Sequence, residues 1–144
     1  EILCPNIFFS SEHKRFVDSN AEVINTNNIS YKAEINNAIF SNKCQKINNF
    51  FSFDISILFV VTPIEENQQR IDLPFYIAAL NNNNDLLDIQ YFKTEGIFEK
   101  NIESNLNKET ELKKKIKFRF DSKEEVYSIV IGFMLNKQKM DLLY

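Results

Sequence analysis

The one histidine, His13, is the natural candidate for acid–base chemistry at neutral pH. A serine nucleophile would need that imidazole to be held by a carboxylate, next to an activated hydroxyl, inside a cleft. The flanking residues, Ser10, Glu12 and Lys14 among them, form an ordinary polar segment with no such pattern. We interpret His13 as a surface histidine, and the sequence predicts no catalytic residue and no enzymatic activity.

Metal and nucleotide sites find no support in the motifs. One histidine and two widely separated cysteines cannot supply the nitrogen and sulfur ligands of a structural zinc site. Gly96 and Gly132 are the only glycines, and neither lies in a glycine-rich turn that leads into a helix, as phosphate binding requires. Adjacent carboxylates such as Glu65-Glu66 are typical of solvated turns. The sequence therefore predicts neither a metal nor a cofactor.

The two cysteines, Cys4 and Cys44, leave three states open. They could be free thiols in the core, a reactive pair or a disulfide. An even number of cysteines in a small stand-alone domain slightly favours the disulfide.

Four basic residues at alternate positions are the most ordered charge feature of the sequence: Lys113, Lys115, Lys117 and Arg119. On a strand they share one side, and Ile116, Phe118 and Phe120 then face the core, because a one-residue slip would bury unpaired charges. The row is a candidate face for an anionic partner. A charged outer side also keeps a sheet soluble and protects its edge, and that explanation needs no partner.

Length and composition predict a single domain, residues 1–144, large enough to bury roughly 70% of the unfolded surface. The net charge of -3 provides no overall positive field, which disfavours nucleic acid as a partner. The longest nearly apolar run, Ile55–Val61, is far shorter than the ~20 residues of a transmembrane helix. With only 2 Gly and 3 Pro in the chain, asparagine is expected at most turns.

Alternating hydrophobic residues predict the strands. Over Phe51–Val61 every second residue is apolar, which predicts a central strand with Phe51, Phe53, Ile55, Ile57 and Phe59 in the core. A second strand is expected from Ile29 to about Ile35, bent or bulged at Asn36-Asn37. Asp72–Leu80 alternates too, but Pro74 places it at an edge or a bulge. The asparagine run that follows predicts a hairpin into Leu86–Thr94.

Two further strands are predicted near the end of the chain, over Leu112–Phe120 and Val126–Leu135, the second with Tyr127 facing inward. Asn136 is expected to cap a short C-terminal helix. Ser10–Val17 is predicted to form another short helix, and Glu99–Glu111 could be helix or loop. Six or seven short strands with almost no long helix indicate an all-β fold, an immunoglobulin-like antiparallel β-sandwich of two sheets.

Several short motifs together resemble an uncharacterised family of alphaproteobacterial envelope proteins, often lipoproteins. The motifs are Cys4-Pro5, the second Cys44, Leu73 to Ala79, Ile131 to Leu135 and the closing Tyr144. The sequence departs from the family pattern at Met134, where a glutamine is expected. Cys4 also follows Leu3, whereas a lipobox has a small residue before its cysteine.

The resemblance implies a disulfide between Cys4 and Cys44, export to the periplasm through a signal peptide, and a lipid tether on an upstream cysteine. Residue 1 is Glu rather than Met, so we expect that a segment before it was removed, either by a signal peptidase or in preparing the chain. The expected function is that of a non-enzymatic periplasmic or outer-membrane-tethered domain that acts through contacts with a protein partner in the envelope. A small-ligand or polysaccharide binder is the alternative, and a hydrolase without histidine is a distant third.

Overall fold

The computed structural model describes residues 1–144 and contains nine strands and one helix. The elements are β1 (Asn6–Phe9), β2 (Arg15–Asp18), β3 (Tyr31–Phe40), β4 (Gln45–Ile47), β5 (Phe50–Pro63), β6 (Arg70–Leu80), β7 (Leu86–Ile97), β8 (Thr110–Asp121), β9 (Ser128–Phe133) and α1 (Lys137–Leu143). The prediction of an all-β domain with a short C-terminal helix is confirmed. No helix in the structure combines the length and the apolar character needed to cross a membrane.

The strands form two sheets that face each other across the core. The four-stranded sheet has the order β1, β9, β6, β7. In the five-stranded sheet, β2 pairs with β3, and β3 and β4 pair with successive parts of one edge of β5. The strand β8 pairs with the other edge of β5. All neighbours are antiparallel except β1 and β9, which are parallel. The predicted two-sheet sandwich is confirmed. It shares the immunoglobulin architecture, but its last strand lies between β1 and β6, whereas the last strand of an antibody constant domain lies beside the strand before it.

The core lies between the sheets and is rich in aromatic rings. The five residues predicted to be core from the alternation in β5 are completely buried: Phe51, Phe53, Ile55, Ile57 and Phe59. Across the sandwich, the ring of Phe59 contacts those of Phe75 and Phe133, with centroids 5.2 and 5.7 Å away. Such tilted pairs add to the hydrophobic gain from burying each ring. The core prediction is confirmed.

The register of the five-stranded sheet also follows the predicted pattern. The pairing of β3 with β5 shifts between Ile35 and Asn37, which confirms the predicted bulge. On β8, Ile116, Phe118 and Phe120 are buried, Lys115 and Lys117 are exposed, and Arg119 is half-buried. The alternation of charged and apolar residues therefore fixes which side of β8 faces the core.

Asparagine forms the turns, as expected from the scarcity of glycine. Every non-glycine residue with positive φ is an asparagine: Asn48, Asn84 and Asn105. In the hairpin loop before β7, the Asn81 side chain accepts hydrogen bonds from the backbone nitrogens of Asn83 and Asp85, both at 2.9 Å. These bonds stabilise the turn, because an asparagine side chain can hydrogen-bond the backbone a few residues further along the chain.

The predicted helix over Ser10–Val17 is wrong. The segment is a turn followed by β2, which pairs with the first half of β3. Phe16 and Val17 are adjacent and both buried, so this part of the chain is covered on both sides. The helix α1 supplies part of that cover, because Lys139 Nζ lies 4.3 Å from the Phe16 ring centroid. Pairing with β3 and packing under α1 override the local sequence pattern.

Pro74 and Tyr127 differ from their predicted positions. Pro74 suggested an edge or a bulge, but β6 lies inside its sheet, between β9 and β7. The proline is tolerated because β9 ends at Phe133, opposite Phe75, so the missing N–H falls at the end of the ladder. Tyr127, predicted to face inward, precedes β9 and is exposed.

The predicted helix cap is confirmed, and Glu99–Glu111, for which the sequence left helix and loop open, is mostly loop. Asn136 Oδ1 accepts a hydrogen bond from the backbone nitrogen of Lys139 at 2.9 Å, at the start of α1. The residues between β7 and β8 form turns with one isolated bridge, between Lys100 and Asn107.

A buried tyrosine connects the two sheets. Tyr31 Oη lies 2.8 Å from Asp18 Oδ2, and 3.1 Å from both the backbone nitrogen and the carbonyl oxygen of Asp72 on β6. Burial is the main reason that the pKa of Tyr31 is raised above its ordinary value. The fold therefore stabilises the neutral phenol.

Candidate functional site

The disulfide that the family resemblance implied is present. Cys4 and Cys44 are joined, with an S–S distance of 2.06 Å and Cα atoms 5.2 Å apart, so this prediction is confirmed. Cys44 is buried in the core, and its carbonyl accepts a hydrogen bond from the backbone nitrogen of Ile2 at 3.0 Å. The bridge ties the segment before β1 to the segment after β3, and so joins the two sheets.

The predicted face for an anionic partner lies on the outer side of the five-stranded sheet. Three lysines of the row are exposed and take part in no ion pair: Lys113, Lys115 and Lys117. Arg119, the fourth member, is half-buried, and its Nη2 lies 3.1 Å from Asp54 Oδ1. Hydrogen bonds from Asn42 and then from Arg119 lower the pKa of Asp54. The three lysines can therefore attract an anion without breaking an existing pair.

A groove of about 700 Å³ opens on the same outer side, near the start of β8. Val60 and Thr62 of β5 line it, together with Leu142 and Leu143 of α1. Five charged residues complete the lining: Arg15, Lys32, Glu34, Glu109 and Glu111. The groove is thus a mixed surface in which carboxylates outnumber cations.

The outer side of the four-stranded sheet has a different character. Two cross-strand rows contain no charged residue, and we call them the aromatic face: Phe8, Val130, Ala78 and Ile89 in one row, Gly132, Tyr76 and Tyr91 in the other. Phe8 is 52% exposed and Tyr91 is 62% exposed. Phe8 lies on one edge strand and Tyr91 on the other. Large apolar side chains left in water on one side of a sheet are a feature of binding surfaces.

His13 lies beside the aromatic face and is half-buried, which corrects its interpretation as a surface histidine. Its Nδ1 lies 3.0 Å from Ser10 Oγ and 3.2 Å from Tyr76 Oη, and the two rings meet edge-on at 5.7 Å. Burial raises the pKa of Tyr76. None of the hydrogen-bond partners of the imidazole is a carboxylate, so the group that orients a catalytic histidine is not part of this cluster. The contacts instead fix the position of Tyr76.

Sequence reasoning did not find the aromatic face. Its members come from four strands that are distant in the chain, so no single segment displays the pattern. The local signal was on β7, where Ile89 and Tyr91 are apolar on the side that would carry polar residues in a solvated sheet.

Comparison with known proteins yields one distant structural likeness. No protein-family model matches the chain, and no curated protein matches its sequence. A solved structure described as "X-ray structure of Northeast Structural Genomics Consortium target SoR45" is 9% identical, with a match that covers 72% of this chain and 82% of that chain. Its TM-score is 0.34, and a likeness at that level carries no argument about fold or function.

Proposed function

We propose that this chain is a non-enzymatic binding domain of the cell envelope that contacts a protein partner through its aromatic face. The observation that carries the proposal is the absence of charge from two neighbouring rows on four strands, combined with exposed aromatic side chains. The centres of protein interfaces are depleted in charge and enriched in Tyr and Phe. The partner would therefore present an apolar surface with hydrogen-bonding groups for the tyrosine hydroxyls.

The size of the aromatic face suits the centre of an interface. Four strands at a spacing of ~4.8 Å, and two rows at ~6.8 Å each along the strands, give roughly 260 Å². That is about one third of the ~800 Å² that one partner buries in a standard interface. Polar residues around the face would form the rim.

The disulfide supports an extracytoplasmic location. Bridges such as Cys4–Cys44 persist in oxidising compartments and are rare in the cytosol. The resemblance to alphaproteobacterial envelope proteins narrows the proposed compartment to the periplasm, with a lipid tether as a further expectation. Trapping of free thiols in fractionated cells tests the location, because a reduced chain in the cytosolic fraction would contradict it.

The interface is tested by site-specific crosslinking in cells that export the chain. A photoreactive phenylalanine analogue at Tyr91 should capture a protein partner, whereas the same analogue at Lys123, an exposed position away from the aromatic face, should not. The captured partner is then purified for affinity measurements. Tyr91→Lys should weaken binding at least ~10-fold, because a charge would be desolvated against an apolar surface, and Lys123→Glu should leave it unchanged. Equal crosslinking at both positions, or an affinity insensitive to Tyr91→Lys, would contradict the proposal.

A second candidate function, binding of a small ligand or a polysaccharide, is favoured by the groove near the start of β8. Its volume of about 700 Å³ lies within the range of small-molecule sites. Thermal-shift screening with envelope oligosaccharides and amine-bearing metabolites tests it. A hit that raises the melting temperature of the wild type but not of Val60→Lys would support a ligand site, and no hit would leave the protein-contact function favoured.

A further inference from the structure

The outer side of β8 reverses its charge near the start of the strand. Glu109, which immediately precedes β8, and Glu111 are exposed and form no ion pair. They are followed on the same side by Lys113, Lys115 and Lys117, which are also exposed and unpaired. Residues two apart on a strand lie on one side, at a spacing of about 6.8 Å. The strand thus carries a row of unpaired acids followed by a row of unpaired bases.

The neighbouring strands extend this division in part. Glu34 on β3 and Glu111 on β8 are both opposite Val60 on β5, so they lie at the same end of the sheet. Arg15 and Lys32 also lie at that end, where the three carboxylates exceed the two cations by one. Beside the basic end, Leu58 and Ser56 of β5 carry no charge, and Asp54, which is opposite Lys117, is paired with Arg119. We call this surface the bipolar face, defined by Glu34, Glu109 and Glu111 at one end and Lys113, Lys115 and Lys117 at the other.

We infer that the bipolar face binds the same face of a second copy of this chain. A two-fold axis that lies in the plane of the interface, perpendicular to β8 at the level of Leu112, would place Glu111 of each copy against Lys113 of the other. The same rotation brings Glu109 against Lys115. A surface that is acidic at one end and basic at the other is complementary to itself under such a rotation, which is the requirement of an isologous dimer.

The available area fits a weak dimer. The helix α1 covers β2, which leaves β3, β5 and β8. Three strands at a spacing of ~4.8 Å, over about ten residues at ~3.4 Å each, give roughly 490 Å² per copy, or about 1,000 Å² in total. Weak and transient interfaces bury less than about 1,200 Å². Leu58 and Val60 provide apolar contact between the charged ends, while exposed ion pairs contribute little each and are screened by salt. The dimer is therefore expected to be weak and to dissociate as ionic strength rises.

The dimer and the aromatic face are on opposite sheets, so the two proposals stand or fall separately. Two copies joined through their five-stranded sheets would leave both aromatic faces exposed. Such a dimer would bind two partner molecules, or one partner with two sites, with a gain in avidity.

Sedimentation equilibrium at low and at high ionic strength is the first test. The wild type should dimerise at low ionic strength, with a dissociation constant at least ~10-fold higher at high ionic strength. Lys123→Glu, a charge reversal outside the bipolar face, should dimerise like the wild type.

Charge-reversed variants test the pairing itself. E109K/E111K has a face that is basic at both ends, and K113E/K115E has a face that is acidic at both ends, so each alone should be monomeric. An equimolar mixture should form a heterodimer, because every acid then meets a base, and its formation also shows that both variants are folded. A wild type that stays monomeric at low ionic strength, variants that dimerise alone, or a mixture that does not associate would each overturn the inference, while partner capture at Tyr91 would be unaffected.

Discussion

Removing the Cys4–Cys44 bridge is expected to destabilise the domain strongly. The bridge closes a loop of 40 residues. For a loop of that length the chain-entropy treatment gives roughly 13 cal/mol/K, or about 4 kcal/mol at 25 °C. That is a large part of the ~5–15 kcal/mol by which a domain is usually stable. The double variant C4S/C44S should therefore lose about 4 kcal/mol of unfolding free energy.

The loss of local stability should be greatest at β1. This strand pairs only with β9, and the bridge fixes the segment that precedes it. Without the bridge, the N-terminal segment gains conformational freedom and β1 should fray. Amide exchange of residues 6–9 should accelerate more than that of β5, which has partners on both sides.

Denaturant unfolding of the wild type and the double variant, with hydrogen exchange on both, measures the two effects. The melting temperature should fall by roughly 8–16 °C at this chain length. Wild type treated with reductant should match the variant, which controls for the serine substitutions. A loss below about 1 kcal/mol, or unchanged exchange in β1, would refute the reasoning that the bridge acts by restricting the unfolded chain and anchoring the first strand.

Three further substitutions test other parts of the fold. The pKa of Tyr31 is raised on folding, so its contribution to stability is complete below the unfolded pKa of ~10 and is lost as the pH rises above that value. Tyr31→Phe should therefore flatten the decline of the unfolding free energy at alkaline pH. An unchanged slope would contradict this. Gly132→Ala places a Cβ 2.6 Å from Tyr76 Oη and should cost about 1–3 kcal/mol and shift the NMR signals of that ring, whereas a neutral effect would mean that the sheet yields freely. Asn136→Ala removes the cap of α1 and should cost about 1 kcal/mol in thermal unfolding, with Asn136→Ser as the capping-competent control.

The sequence was most informative where one side of a strand is apolar and the other polar. In β5 and β8 the alternation placed Phe53 and Phe118 in the core and Lys117 in solvent, because a shift of one residue would reverse every side chain. Prediction from the sequence failed where contacts with distant elements determine which residues are buried. Phe16 and Val17 are both buried because β3 and α1 cover them from different directions, and no local periodicity records that arrangement.

The candidate surfaces also differ in how far the sequence alone reveals them. The basic row could be read from β8 alone, since one strand carries it. The aromatic face could not, because Phe8 and Val130 become neighbours only when β1 pairs with β9. His13 was misjudged for a related reason. Its partner Tyr76 lies 63 residues away in the chain, and the pairing of β6 with β9 brings it close to His13.

The parallel pairing of β1 with β9 has a consequence for how the protein is made. Asn6 pairs with Ser128, so 128 − 6 = 122 residues must be synthesised after Asn6 before its partner exists. At the usual ~5–20 residues per second, that takes roughly 6 to 24 seconds. Both cysteines, by contrast, emerge within the first third of the chain. The nascent chain therefore carries an unpaired first strand until translation is nearly finished, and loss of the last strand would leave β1 and β6 without the neighbour that joins them.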